Sequence, residues 1–92
     1  YATALGTAAK ATVTQGVALG SFSTADRAGG VFGYDPSTKK ESTSSEAAWK
    51  SVLGAVSVGG QVNYSDGTTG QATRQITNVA AGSADTDAVN VA

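Results

Sequence analysis

Ala4-Leu5-Gly6 returns fourteen residues later as Ala18-Leu19-Gly20. The correspondence extends on both sides. Thr3 matches Val17, Ala9 matches Ser23 and Ala11 matches Ala25, each pair keeping its size class. A period of this length holds two strands of about five residues and two tight turns. That is one coil of a two-stranded β-solenoid, in which strands of successive coils pair in parallel and like residues lie above one another. The repeat therefore predicts an all-β chain.

One further period lands on Val31, where the pattern breaks. It resumes at Val56-Ser57-Val58-Gly59, which repeats Val17-Ala18-Leu19-Gly20 at a distance of thirty-nine residues. The simplest account is a repeat strand that carries a large insert, about residues 32–55. Solenoids tolerate inserts at turns because neighbouring coils are left unperturbed.

Two stretches resemble a known family. Gly16-Val17-Ala18-Leu19-Gly20 and Ala55-Val56-Ser57-Val58-Gly59 resemble the short repeat motif of YadA-like heads, and residues 32–59, with Phe32-Gly33-Tyr34-Asp35-Pro36 and Ala48-Trp49-Lys50-Ser51, look like a head insert motif. Arg74-Gln75-Ile76-Thr77-Asn78-Val79-Ala80-Ala81-Gly82, followed by Ser83-Ala84-Asp85-Thr86-Asp87-Ala88-Val89-Asn90-Val91-Ala92, is similar to the neck of trimeric autotransporter adhesins. The resemblance implies a left-handed parallel β-roll forming a homotrimer, with an inserted β-hairpin and a C-terminal neck that leads into a trimeric coiled coil. It divides the chain into a head (1–72) and a neck with the start of a stalk (73–92). It also implies an exposed bacterial outer-membrane passenger that attaches to host cells or extracellular matrix. On this reading the chain is a piece of a longer protein, whose export signal and membrane anchor lie outside it.

Composition leads to oligomerisation independently. The chain has 92 residues, no Cys, no Met and no His, and 7% aromatics. Small domains that cannot build a thick core usually rely on disulfides, a metal or a partner chain. Disulfides and the common zinc and haem ligands are missing, so no cofactor or metal is expected and a partner chain is. The net charge is −1 with 14% charged residues, which gives no basic footprint for nucleic acid. No apolar run is long enough to span a membrane as a helix.

Alternation places Val17 and Leu19 on one face of a strand and Ala18 on the other. Leu5 repeats this arrangement, as do Val56 and Val58. Two packings are open. Either the small residues fill the roll and the ladder Leu5, Val17, Leu19, Val56, Val58 meets neighbouring chains about a three-fold axis, or the ladder fills the roll itself. By resemblance, Ile76 and Val79 pack beneath a neighbouring head. Arg74 can bond Asp85 or Asp87 across chains, a surface pair worth about 0.2–1 kcal/mol. Asp85 and Thr86 suit a helix N-cap and Asp87 its first turn, ahead of Val89 in the stalk.

The insert is also open. Asp35-Pro36 signals a turn. Thr43-Ser44-Ser45-Glu46 fits a capping box, with Trp49, Val52 and Leu53 at helical spacing. Alternatively Trp49 to Val52 runs as a strand back along Val31 to Tyr34, the hairpin that the resemblance implies. Trp49 is expected to pack against Phe32 or Tyr34, with a ligand-binding role as the rarer alternative. Lys39 and Lys40 mark a solvated tip and a candidate ligand-facing surface. Asp66-Gly67 is a tight-turn signal.

No catalytic constellation is present. Without His or Cys the usual triads are excluded, and Asp85 with Asp87 reads as capping rather than acid–base chemistry. Gly29-Gly30 and Gly59-Gly60 lack the Lys-Ser/Thr of a phosphate loop. A non-enzymatic adhesin head is the leading reading. A structural spacer of the same fibre is its rival. A solenoid acyltransferase would want a hexapeptide period and typically a His, and an ice-binding solenoid would want regular Thr arrays.

Overall fold

The strands of this chain are two to four residues long because a turn residue follows each of them almost at once. In the computed structural model, which describes residues 1–91, they are β1 (Thr3–Leu5), β2 (Lys10–Ala11), β3 (Val17–Leu19), β4 (Thr24–Ala25), β5 (Tyr34–Asp35), β6 (Lys40–Glu41), β7 (Val56–Ser57), β8 (Gly60–Asn63) and β9 (Thr69–Ala72). The fold is all-β, with no helix among the described residues.

Two parallel ladders carry the repeat. β1, β3 and β7 form one sheet, in which Thr3, Ala4 and Leu5 face Val17, Ala18 and Leu19, and Val17 faces Val56. β2 and β4 form the other, with Lys10 opposite Thr24 and Ala11 opposite Ala25. The fourteen- and thirty-nine-residue correspondences of the sequence are thus the pairing registers of the sheets. The turns repeat as well. Gly6 and Gly20 have φ of 131° and 97°, and Ala8 and Phe22, two residues on in each coil, sit at 59° and 65°. Gly6 also lies against the next coil: a Cβ there would stand 2.6 Å from the Gly20 carbonyl carbon.

Between the ladders lies a thin interior. Ala18 and Ala25 are its buried apolar residues, and Ser23 is buried with them. The Ser23 hydroxyl donates to the Leu19 carbonyl at 2.6 Å, so the polar group enters the interior with its hydrogen bond made. The larger side chains point away. Leu5 is 67% exposed, Val56 65% and Leu19 38%, while Val17 and Val58 are half-buried.

The insert leaves after Arg27 and returns at Ala55, where Ala55 N–H donates to the Arg27 carbonyl and the Ala55 carbonyl accepts from Val17 N–H. It therefore begins a few residues before the expected start at Phe32. Its backbone is a hairpin. β5 pairs antiparallel with β6, Phe32 bridges to Lys50, and Gly33 and Ser51 exchange bonds with Trp49 and Val31. The capping-box alternative survives only as one turn. Glu46 N–H donates to Ser44 Oγ at 3.3 Å, and the Glu46 carbonyl accepts from Trp49 and Lys50. Strand pairing of Trp49 and Ser51 stops the turn from propagating, and so short a helix would be marginal alone.

β8 and β9 form a second hairpin, with Gly60 opposite Ala72 and Asn63 opposite Thr69. Its tip is the Asp66-Gly67 turn, where Asp66 accepts from Thr68 N–H at 2.9 Å and Thr68 Oγ1 at 2.6 Å. Residues 73–91 carry no regular structure. The helix start expected over 87–92 is accordingly not formed at 87–91, and Ala92 lies outside the described residues. A few residues fixed for one or two hydrogen bonds do not repay helix nucleation without partner chains.

Two outcomes follow from these features. Ala18→Leu forces extra carbons between closely spaced ladders and should cost about 1–3 kcal/mol, read as a lowered denaturant midpoint. In acid, the hairpin tips should open. The Thr68 hydroxyl and N–H hold the Asp66 carboxyl below its ordinary value of 3.8, and Ser37 does the same for Asp35. With the folded value depressed, the contribution is complete above the unfolded value and is lost as pH falls through the lower folded one. Ser37 and Thr68 amide shifts should titrate with midpoints below 3.8; midpoints at or above it would contradict the turn geometry.

Candidate functional site

The strand β9 ends at Ala72, and two residues later Arg74 turns back onto the coils. Its guanidinium donates to the Val58 carbonyl at 2.9 Å, the Ser21 carbonyl at 2.8 Å and, more weakly, Ser23 Oγ at 3.4 Å. A planar fork suits such a cluster of acceptors better than an ammonium would. Gly20 makes the approach possible, since a Cβ there would stand 2.9 Å from Arg74 Cζ. Arg74 thus ties the segment after the second hairpin to the turns of two coils. In the single chain it is committed to these carbonyls rather than to the carboxylates expected from the sequence.

Asp87 is used locally. Its Oδ2 accepts from Ser83 N–H at 3.0 Å, Ser83 Oγ at 3.3 Å and Ala84 N–H at 3.1 Å. These bonds, with the backbone donors of Ser83 and Ala84 foremost, hold its carboxyl below the ordinary range. The carboxylate closes a turn in the manner of a cap without a helix behind it. Asp85 lies in the same turn, exposed.

The apolar residues after Arg74 converge. Ile76, Val79, Val89 and Val91 line one hollow of about 390 Å³, and Asn90 Nδ2 donates to the Val79 carbonyl across it at 3.2 Å. Ile76 is 70% and Val89 82% exposed, so within one chain this cluster is gathered but not covered. The ladder residues Leu5, Leu19 and Val56 share that condition on the head. A second hollow, of about 480 Å³, lies along β7 between Asp26, Val56, Gln71 and Arg74.

The insert places Lys39 and Lys40 at the hairpin tip, both exposed, with Lys39 at φ 58°. Phe32 is half-buried and Tyr34 exposed. The ring contact at Phe32 comes from Lys50, whose Nζ stands 4.7 Å from the ring centroid, a cation–π arrangement that sequence reading missed. The cross-strand pairing of Phe32 with Lys50 was its only signal. Trp49 remains 36% exposed, with its backbone bonded to Glu46 and Gly33. Among the described residues, no group of three or more acidic side chains gathers as a metal would require. The carbonyl acceptors of Arg74 were equally hidden in the sequence; only Gly20, a residue without a side chain at the docking point, hinted at them.

Two comparisons with known proteins bear on this arrangement. The family described as the coiled stalk of trimeric autotransporter adhesins matches residues 75–92, from just after Arg74 to the end of the chain. The autotransporter adhesin BadA of Bartonella henselae is 51% identical over 82 residues, which is 89% of this chain. The chain spans only 2% of that relative's length. No solved structure matches significantly. With 51% identity to an autotransporter adhesin over 89% of its length and a stalk match at its end, the chain belongs to the trimeric autotransporter adhesins, as part of the passenger exposed at the outer-membrane surface.

Proposed function

We propose that this chain is a head module of a homotrimeric adhesin fibre, joined by its neck to a coiled-coil stalk, and that the head attaches the bacterium to host cells or extracellular matrix. One observation carries the assembly: Ala18, Ser23 and Ala25 fill the interior, while Leu5, Leu19 and Val56 are turned outward. Exposed leucines in register on one sheet call for a cover. Two further copies supply it about a three-fold axis, with each buried Val or Leu contributing about 1.5–3 kcal/mol. The two parallel ladders are then a left-handed β-roll. Residues 1–72 form the head, its insert lies within 28–54, and residues 73–92 form the neck and stalk start.

In this assembly Arg74 keeps the neck against its own head, and Ile76, Val79 and Val89 pass from their shared hollow to a neighbouring chain. Asp85 and Asp87 cap the stalk helix once three chains nucleate it together. No step of this role is enzymatic. The stalk match over residues 75–92 supports a second reading, in which the module is a connector with no ligand of its own. The tip lysines Lys39 and Lys40 separate the two readings.

Leu19→Asp should shift sedimentation from trimer to monomer at micromolar concentration, since three carboxylates would converge where the ladder closes. A persistent trimer would remove the ladder from the interface. On immobilised collagen, fibronectin or laminin, the assembled protein should bind saturably, and the Lys39→Ala, Lys40→Ala double variant should lose at least about tenfold in affinity. No binding to any of these surfaces by the intact trimer would favour the connector.

A further inference from the structure

We propose that the hollow on the insert is a subsite for a neutral pyranose ring, stacked on Trp49 and held by Asp35, Glu41 and the neighbouring hydroxyls. The hollow, about 510 Å³, lies between the β5–β6 hairpin and the loop that follows it, with Trp49 as its aromatic wall. Its size is that of a small-molecule site. The inference rests on this hollow alone and is independent of whether the module adheres or only connects.

Three observations select the ligand. First, Trp49 is fixed but not covered. Its N–H donates to Glu46 and its carbonyl accepts from Gly33, while the side chain stays 36% exposed. Among the described residues the indole N–H has no acceptor. A rigid aromatic with one apolar face and a free polar edge is suited to an amphipathic ring.

Second, the remaining wall is polar and only partly engaged. Ser42 Oγ and Ser44 Oγ accept from the Ser44 and Glu46 N–H groups and Thr38 Oγ1 donates to the Asp35 carbonyl, while other lining groups stay open. Asp35 Oδ1 accepts from Ser37 N–H at 2.9 Å and Ser37 Oγ at 2.6 Å, which pins the carboxylate and leaves Oδ2 without a partner among the described residues. The side chains of Lys40, Glu41 and Thr43 likewise make no hydrogen bond within the described chain, and all three line the hollow. A pyranose offers the complement: a C–H face for the indole and a rim of hydroxyls for pinned acceptors and donors. Third, two carboxylates face one ammonium, so the hollow carries a net negative charge. That disfavours sialic acids, uronic acids and sulfated sugars.

The chain has a single Trp, so its fluorescence reports on the hollow directly. The 92-residue protein is titrated with neutral hexoses and N-acetylhexosamines, and in parallel with sialic acid. We expect a saturable emission change with neutral sugars only, weakened at least about tenfold in Glu41→Gln and unchanged in Lys10→Ala, which lies on β2 outside the hollow. The Trp49 indole N–H resonance should move in the same titration. Immobilised host glycoprotein and bacterial lipopolysaccharide bearing the same terminal sugar then distinguish the polymer that supplies the ring, and binding to either supports the subsite. The proposal is overturned if no neutral sugar gives saturation by either readout, if Glu41→Gln titrates like the parent, if sialic acid binds as well, or if a soluble quencher cannot reach the indole.

Discussion

Everything in this molecule depends on how close its two parallel ladders come. Ala18, Ser23 and Ala25 are the buried residues between them, all of them small. A sheet pair that close cannot bury leucine, so the alternation of each strand sends Leu5, Leu19 and Val56 to the opposite face. The usual arrangement of a small domain is thereby reversed: the small side chains are inside and the bulky ones outside. A chain built this way gains little from its own interior, since the apolar area removed from water is set by methyl groups. The larger apolar area lies on its outer face, uncovered within one chain.

Arg74 answers a related difficulty at the end of the roll. The turns beside the ladders present carbonyls, including those of Ser21 and Val58. One guanidinium satisfies both and approaches over Gly20. The same side chain therefore closes off the turns beside the ladders and directs the chain that leaves them. A lysine would supply the charge without the fork, and a side chain at position 20 would block the approach even with Arg74 intact. Repeat and neck are coupled through this contact rather than merely adjacent in sequence.

The parts of the fold legible in the sequence were those fixed by periodicity. The pairing of Leu5 with Leu19 and of Val17 with Val56 was written in the repeat, because stacked coils make sequence equivalence and spatial contact the same thing. The β8–β9 hairpin was not foreseen beyond its Asp66-Gly67 turn, since Gly60 to Asn63 and Thr69 to Ala72 are short and polar and show no apolar alternation. The insert left helix and hairpin open because Thr43 to Glu46 is a sound local cap. The decision came from Val31 and Gly33, distant in sequence, which take the backbone partners that a helix would need. Of the candidate site residues, Ile76 and Val79 were expected beneath a neighbouring chain, and neither their shared hollow with Val89 nor the carbonyl partners of Arg74 was foreseen. Backbone acceptors carry no residue type and leave no signature.

The unformed helix at 87–91 follows from the same physics as the exposed ladder. Helix nucleation costs more than a few residues return, and the stripe that would reward it, Val89 and Val91, borders the hollow with Ile76 and Val79 but stays largely exposed in one chain. Asp87 already closes the turn that would become the first helical one, with Ser83 and Ala84 as its donors. What is missing is therefore not the start signal but an apolar partner surface, which in the proposed assembly copies of the same residues would form. The ladders and the C-terminal segment thus share one condition. In each, a short element specified by local sequence leaves its apolar side chains uncovered within one chain, and on the proposed assembly identical elements of other chains would cover both, which would make the cooperative unit the assembly rather than the chain.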